Sequence, residues 1–408
     1  MNFYLERFGL FPRLFEEEIS KDVFLSVVIP CFNEDDLISC LESLKRCLPT
    51  LKSVEVIIII NHSINANADI IQKNEKTFES VCNWVIKNQT KKLKFLPKIL
   101  ALPEKDAGVG LARKAGMDES VRRFETGGIK NGVIVCLDAD CEVSENYLSE
   151  IESYFLVNKT CNAASLYFEH RYDLIDGLNR TSIIEYEIFL RYYVNGLRFS
   201  GHPFAFHTVG SSMAVRNEVY QKQGGMNKRK AGEDFYFLQK IFLLGNFREL
   251  NSCAVYPSCR SSDRVPFGTG RAVGDALNGK NILFYDDQVF VQLKTFFSLI
   301  KEYAFDYDFT YFSDKLPTEL CEFLNAMGWE EKLIEIKKNV RDKDQFVKRF
   351  FSWFDGFMAL KAIHFLSENF FPRKMFKDWN PGNILPNQNF SEPEKMLEVL
   401  RRIDGKCQ

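Results

Sequence analysis

The sequence predicts an α/β protein: a twisted, mostly parallel sheet with flanking helices, followed by a helical appendage. Three observations predict it. Runs of β-formers alternate with segments of helical periodicity from about residue 25 to residue 156. That rhythm is the mark of a doubly wound sheet with right-handed crossovers. One run, Val133–Leu137, is wholly apolar, as a strand buried on both faces must be, and it stops abruptly in Asp138-Ala139-Asp140. From about Asp286 onward the pattern is helical and mixed in charge. The expected boundaries are an N-terminal extension over 1–22, the α/β domain over 23–280 and a helical region over 281–408.

Taken in order, Leu25–Ile29 reads as a buried strand that Pro30 ends, since proline has no N–H to give the ladder. Asn33 is expected to cap the next helix, with Glu34, Asp35 and Asp36 in its first turn. Leu37, Leu41, Leu44 and Leu48 continue at helical spacing. Val56–Ile60 is a second strand, with Asn61-His62-Ser63 at its carboxyl end. A helix follows around Ala68–Val81, then a third strand over Lys98–Leu102 and a helix over Leu111–Phe124. The central strand leads to a helix over Glu145–Leu156. Beyond it come a strand over Ala163–Phe168, a helix over Thr181–Asn195, a strand over Ser212–Val215 and a short helix over Asn217–Gln223 that Gly224-Gly225 stops. Glu233–Leu244 is a helix stopped by Gly245, and Ala254–Tyr256 is the last short strand.

Composition excludes several classes. The 408 residues carry a net charge of −2, without the basic surplus of a nucleic-acid binder. The eleven cysteines form no Cys-x-x-Cys pair, and several, such as Cys136 and Cys253, sit in apolar runs. They read as reduced core residues of a cytoplasmic protein. Residues 1–15 hold no apolar secretory core. No window approaches 18 uninterrupted apolar residues, so no transmembrane helix is expected. Phe350–Phe371 is an aromatic stripe at helical spacing, which reads as core; it could also lie on a membrane surface, an association that is possible but not indicated.

Asp138 and Asp140 end a strand at a sheet edge, where open α/β sheets bind ligands. Two carboxylates one residue apart suit a hard divalent cation that also holds phosphate oxygens. Three further stretches accompany them: Val-Val-Ile-Pro30-Cys-Phe-Asn33-Glu34, Gly110-Leu-Ala-Arg113-Lys-Ala-Gly116 and Gly232-Glu233-Asp234-Phe-Tyr-Phe-Leu. In order and spacing, the four resemble the nucleotide-sugar-dependent glycosyltransferases of the GT-A fold, closest to family two, over roughly residues 23–275. Gly210-Ser-Ser-Met213-Ala-Val-Arg216 resembles that family's segment ahead of its catalytic acidic pair.

The resemblance implies transfer of one sugar from a UDP- or GDP-linked donor to an unidentified acceptor hydroxyl, with Mn²⁺ or Mg²⁺. Asp140 would hold the metal as part of the Asp-x-Asp motif, and Asp138 would contact ribose or sugar hydroxyls. Pro30, Asn33, Glu34 and Asn61 would line the nucleoside. Arg113 would stand near the nucleotide, unless it lies on a solvated helix face. Asp234 is the candidate general base and Glu233 its like-charged neighbour; both also suit the first turn of a helix. Inversion of the sugar rests on this acidic pair alone. Arg260, Arg264 and Arg271 could close over the diphosphate, receive an anionic acceptor, or serve only local ion pairs. His202 and His207 read as structural histidines or as a third metal ligand.

The sequence departs from the family where Asn61-His62-Ser63 replaces an aspartate turn, which leaves the nucleotide base open. It lacks the Gln-x-x-Arg-Trp motif of processive polymerising members. Two alternatives remain: a retaining transferase of this fold, and a degenerate member that binds nucleotide sugar or glycan without transfer. A nucleotidyltransferase would need a glycine-rich loop after the first strand, where Pro30-Cys-Phe-Asn33-Glu34 stands instead. Asp378-Trp-Asn-Pro-Gly-Asn383 has the spacing of a kinase-like loop but lacks the preceding histidine, and reads as a turn.

Overall fold

The computed structural model describes residues 2–20, 22–261, 268–303, 305–306, 314–385 and 392–406. They fall into two compact units, one of residues 1–179, 208–274 and 402–408, the other of residues 180–207 and 275–401.

The first unit is built on eight strands: β1 (Val23–Cys31), β2 (Ser53–Ser63), β3 (Leu93–Leu102), β4 (Val133–Cys136), β5 (Glu142–Val143), β6 (Ala163–Phe168), β7 (Met213–Arg216) and β8 (Phe247–Tyr256). Their order across the sheet is β3-β2-β1-β4-β7-β6-β8-β5. β3, β2, β1 and β4 are parallel; β7 runs against β4 and β6, and β5 against β8. The sheet is therefore mostly parallel on one side and mixed on the other. In β1 and β2, Val27, Val28, Ile29 and Ile57 to Ile60 have no exposed surface. Burial of each such side chain stabilises the fold by about 1.5–3 kcal/mol.

The helices in chain order are α1 (Phe3–Phe8), α2 (Leu37–Lys45), α3 (Ala68–Asn88), α4 (Val109–Thr126), α5 (Tyr147–Val157), α6 (Gly177–Ser200), α7 (Asn217–Lys222), α8 (Glu233–Phe242), α9 (Thr269–Leu277) and α10 (Gln288–Glu302). α11 (Thr318–Ala326), α12 (Trp329–Lys338), α13 (Lys343–Trp353), α14 (Gly356–Asn369) and α15 (Pro393–Lys406) complete them. None among the described residues is long and apolar enough to cross a membrane.

α4 lies directly on the parallel strands. A Cβ on Gly116 would come 2.5 Å from Val28 Cγ1, so only glycine permits this approach. The buried polar side chains of α4 are paired. Arg123 donates to Glu55 through Nε and Nη2 at 2.6 and 2.8 Å. Asp118 accepts from the Tyr4 and Tyr220 hydroxyls at 2.6 and 2.7 Å, and Lys114 Nζ stands 2.9 Å from its second oxygen. The Tyr4 contact fixes α1, so the N-terminal segment is an integral part of this unit.

Two local expectations are corrected. Pro30 does not end the first strand: β1 continues through Pro30↔Ile59 to Cys31↔Ile60, because Ile29 and Pro30 lie past the last residue paired with β4. Asn33 is not a helix cap. It adopts the left-handed region at φ 51°, which asparagine tolerates, and α2 starts only at Leu37. Glu34 Oε1 instead accepts the Asp35 and Asp36 N–H groups at 2.9 and 3.0 Å, forming a turn where the helix was expected to begin.

The second unit has an aromatic core. Phe296, Phe297, Phe350 and Phe354 are fully buried, with rings 5.3–6.3 Å apart. Phe350 therefore belongs to a core, and Phe350–Phe371 divides between α13 and α14. His202 belongs to this core: Phe204 N donates to its Nδ1, and its Nε2 lies 3.1 Å from Phe354 O. Burial pushes its pKa down to about 4, keeping it neutral. Asn383 donates through N and Nδ2 to Asp287 Oδ2, both at 2.9 Å, so the Asn-Pro-Gly-Asn segment is a structural turn. Ten cysteines are described, none of them in a disulfide.

Candidate active site

The candidate residues gather at one sheet edge of the first unit. β1 and β4 are parallel neighbours that end side by side, and Leu137 N donates to Val28 O at 3.1 Å. Their carboxyl ends launch the turn at Asn33–Asp36 and the turn at Asp138–Asp140. β7 runs the other way, with Met213 opposite Cys136, so Gly210-Ser211-Ser212 enters the sheet at the same edge. α8 begins there too, after Gly232 in the left-handed region at φ 69°.

Arg113 ties these pieces together. It stands one turn into α4 and is 1% exposed. Its Nη1 donates to Glu233 Oε1, and its Nη2 to Asp138 Oδ1. Burial alone would lower its pKa, but Asp138 and Glu233 more than offset this and hold the guanidinium charged. The solvated-face alternative for Arg113 is thus corrected: the helix is buried on this side. Two glycines allow the approach. A Cβ on Gly210 would stand 2.9 Å from Arg113 Nη1 and 3.0 Å from Asp234 Oδ2. One on Gly110 would collide with Arg229 O, in the loop that leads into α8.

Glu233 is 3% exposed, and burial pushes its carboxyl up to about 7 against the pull of Arg113. Asp234 is half-buried, with Oδ1 accepting from Phe235 N at 2.7 Å. Burial raises its proton affinity too, while Arg113 and the backbone of Phe235 and Gly210 oppose the rise.

A second knot surrounds Asp140. Arg260 Nη1 donates to Asp36 Oδ2 at 2.9 Å, and Nη2 to Glu34 Oε2; Nη2 also lies 3.7 Å from Asp140 Oδ2. Asp138 and Asp140 side chains are 37% and 30% exposed. Among the described residues no three His, Cys, Asp or Glu side chains form a closed metal cage. A cation shared with a diphosphate needs only one or two carboxylates, and this half-open, all-oxygen pair fits that requirement.

The remaining candidates are placed as follows. Pro30 is buried in β1. Asn33 N donates to Asn74 Oδ1 at 3.0 Å. Asn61 is buried, its Nδ2 donating to Cys31 O at 2.8 Å and its carbonyl accepting from Asn74 Nδ2 at 2.8 Å, so its amide stitches β1 to β2. Arg271 lies in α9, and Arg264 falls outside the described residues. Sequence reasoning missed Asp36 and the steric role of Gly210. A lone glycine ahead of a strand was the available signal for the latter; Asp36 offered none.

Residues 26–223 match the family model Glycosyl transferase family 2, a span that includes Asp138 and Asp140 and ends before Glu233. No curated protein matches. Among solved structures, S. aureus TarS 1-349 in complex with UDP-GlcNAc is 14% identical, with a TM-score of 0.42, over 81% of this chain and 91% of that one. Glucosyl-3-phosphoglycerate synthase from Mycobacterium tuberculosis, in complex with Mn²⁺, UDP and phosphoglyceric acid, is 12% identical, with a TM-score of 0.36, over 64% of this chain and 83% of that one. Residues 26–223 thus carry a domain that matches Glycosyl transferase family 2, built on a mostly parallel sheet.

Proposed function

We propose that this glycosyltransferase moves one sugar from a UDP- or GDP-linked donor to an acceptor hydroxyl, assisted by Mn²⁺ or Mg²⁺ and with inversion at the anomeric carbon. The observation that carries the reading is Arg113, whose two nitrogens join Asp138 to Glu233. Through it the strand-end acids and the helix-start acids share one site.

Asp140 would hold the cation, which would supply positive charge against the departing diphosphate. Asp138 faces ribose or sugar hydroxyls, its orientation set by the bond from Arg113 to Oδ1. Pro30 and Glu34 flank the nucleoside. The acceptor oxygen attacks the anomeric carbon, the bond to the diphosphate breaks, and the acceptor proton passes to Asp234. The Asp234 carboxylate is the receiving group, held in place by Phe235 N donating to Oδ1. Such base assistance contributes roughly 10²–10⁴-fold. Arg260 and Arg271 would serve the diphosphate or an anionic acceptor.

A thermal-shift screen of UDP- and GDP-sugars with and without Mn²⁺ tests the donor side. A donor at about a hundredfold excess over Kd stabilises by roughly 2.7 kcal/mol. Asp140→Asn should lose the Mn²⁺-dependent part of that gain. If no donor shifts the wild type under either condition, a degenerate member that binds glycan without transfer replaces this reading.

A further inference from the structure

Asp140 already has a cation beside it. The Arg260 guanidinium reaches Glu34 and Asp36 on one turn, and its Nη2 lies 3.7 Å from Asp140 Oδ2 on the other. We infer that Arg260 keeps the cation's place in the ligand-free enzyme, so that a divalent metal binds tightly only together with a diphosphate that draws Arg260 away. The inference rests on the metal-dependent reading above.

Three features support it. Glu34 is 3% exposed and fixed from behind by the Asp35 and Asp36 N–H groups, so it presents a pre-set carboxylate to the guanidinium. The Arg260 side chain is 31% exposed, so it has a route toward solvent and toward an incoming ligand. Its charge opposes that of a metal at the same Asp140 oxygen, because like charges a few ångströms apart repel. A diphosphate resolves the conflict from both sides. It offers the guanidinium a bidentate partner in exchange for Glu34 and Asp36. It also offers the metal the additional oxygens that two carboxylates do not supply.

A merely structural ion pair makes a different forecast. It would cost stability when removed, and it would not change metal affinity in a set direction. Arg260 is thus proposed as a residue that sets the order of binding.

The test is Mn²⁺ binding to the full chain, read as free Mn²⁺ by electron spin resonance, without nucleotide and then with UDP. In the absence of UDP, Arg260→Ala should bind Mn²⁺ about tenfold more tightly than wild type, a change of roughly 1.4 kcal/mol. Arg260→Lys, which keeps the charge, should restore the weak binding. With UDP present the order should reverse, Arg260→Ala requiring about tenfold more UDP for the same Mn²⁺ uptake. Equal or weaker Mn²⁺ binding by a folded Arg260→Ala protein without UDP overturns the inference. Should that variant fail to fold, Arg260→Gln is read by the same criterion. The parent reading has its own control: if Asp140→Asn leaves Mn²⁺ uptake with UDP unchanged, the metal site is wrong and the role of Arg260 falls with it.

Discussion

Two acidic pairs share Arg113, and they are built in opposite ways. Asp138 and Asp140 stand where a parallel strand runs out, with side chains 37% and 30% exposed. Glu233 and Asp234 stand in the first turn of a helix, Glu233 almost wholly buried, and burial raises the proton affinity of both. Carboxylates left near water can take a cation without a large desolvation cost. Carboxyls withdrawn from water hold a proton more tightly, which suits a base. One sheet edge thus supplies two kinds of acid because one pair comes from a strand end and the other from a packed helix start.

The sharpest way to break this contrast is Asp234→Asn. If the helix-start pair handles the proton, transfer falls by roughly 10²–10⁴-fold while the donor-induced thermal shift persists. Turnover close to wild type would reduce Glu233 and Asp234 to ordinary acids of a helix first turn.

Next in size is Arg113→Met, which removes the guanidinium from between the pairs. It leaves Glu233 buried beside an apolar chain and Asp138 without its anchor. Removing one partner from a buried ion pair costs about 3–5 kcal/mol. A denaturant titration should find that loss; a loss below about 1 kcal/mol would mean that the two acidic pairs are held independently of Arg113.

How legible the site was depended on whether its residues announce themselves locally. The strand-end acids did, because Val133–Leu137 is an apolar run and the carboxylates end it. β2 is legible from its isoleucines, though it extends beyond the expected Val56–Ile60 to the polar ends Ser53 and Ser63. β8 showed only its last residues, since Glu249, Asn251 and Ser252 break the apolar pattern. Arg113 could not be resolved from periodicity, because α4 is buried on nearly all sides and its charges are satisfied by partners far away in sequence: Glu55, Asp138 and Glu233. The same holds for residues 180–207, which pack with residues 275–401 although they lie within the span expected for the sheet domain. Asn33 misled because an asparagine before acidic residues fits both a helix cap and a left-handed turn. The family match stops at residue 223, so the helix-start pair is assigned by geometry and by the earlier resemblance, outside the matched span.

The smallest effect is in the pH dependence of stability, and it separates the pairs most finely. The Glu233 carboxyl moves from 4.5 to about 7 in the folded protein, first because it is buried. The folded state therefore binds this proton more tightly than the unfolded chain does. Its contribution to stability is fully present below pH 4.5 and declines as pH rises through about 7. The slope from one such group is at most about 1.4 kcal/mol per pH unit. Glu233→Gln, which cannot titrate, should remove that decline. The stability difference between variant and wild type should then drift in the variant's favour from pH 5 to pH 8 and stay flat above that. A difference that stays flat from pH 5 to pH 8 would show that the folded protein does not hold the Glu233 proton more tightly, and the division of labour between strand end and helix start would have to be abandoned.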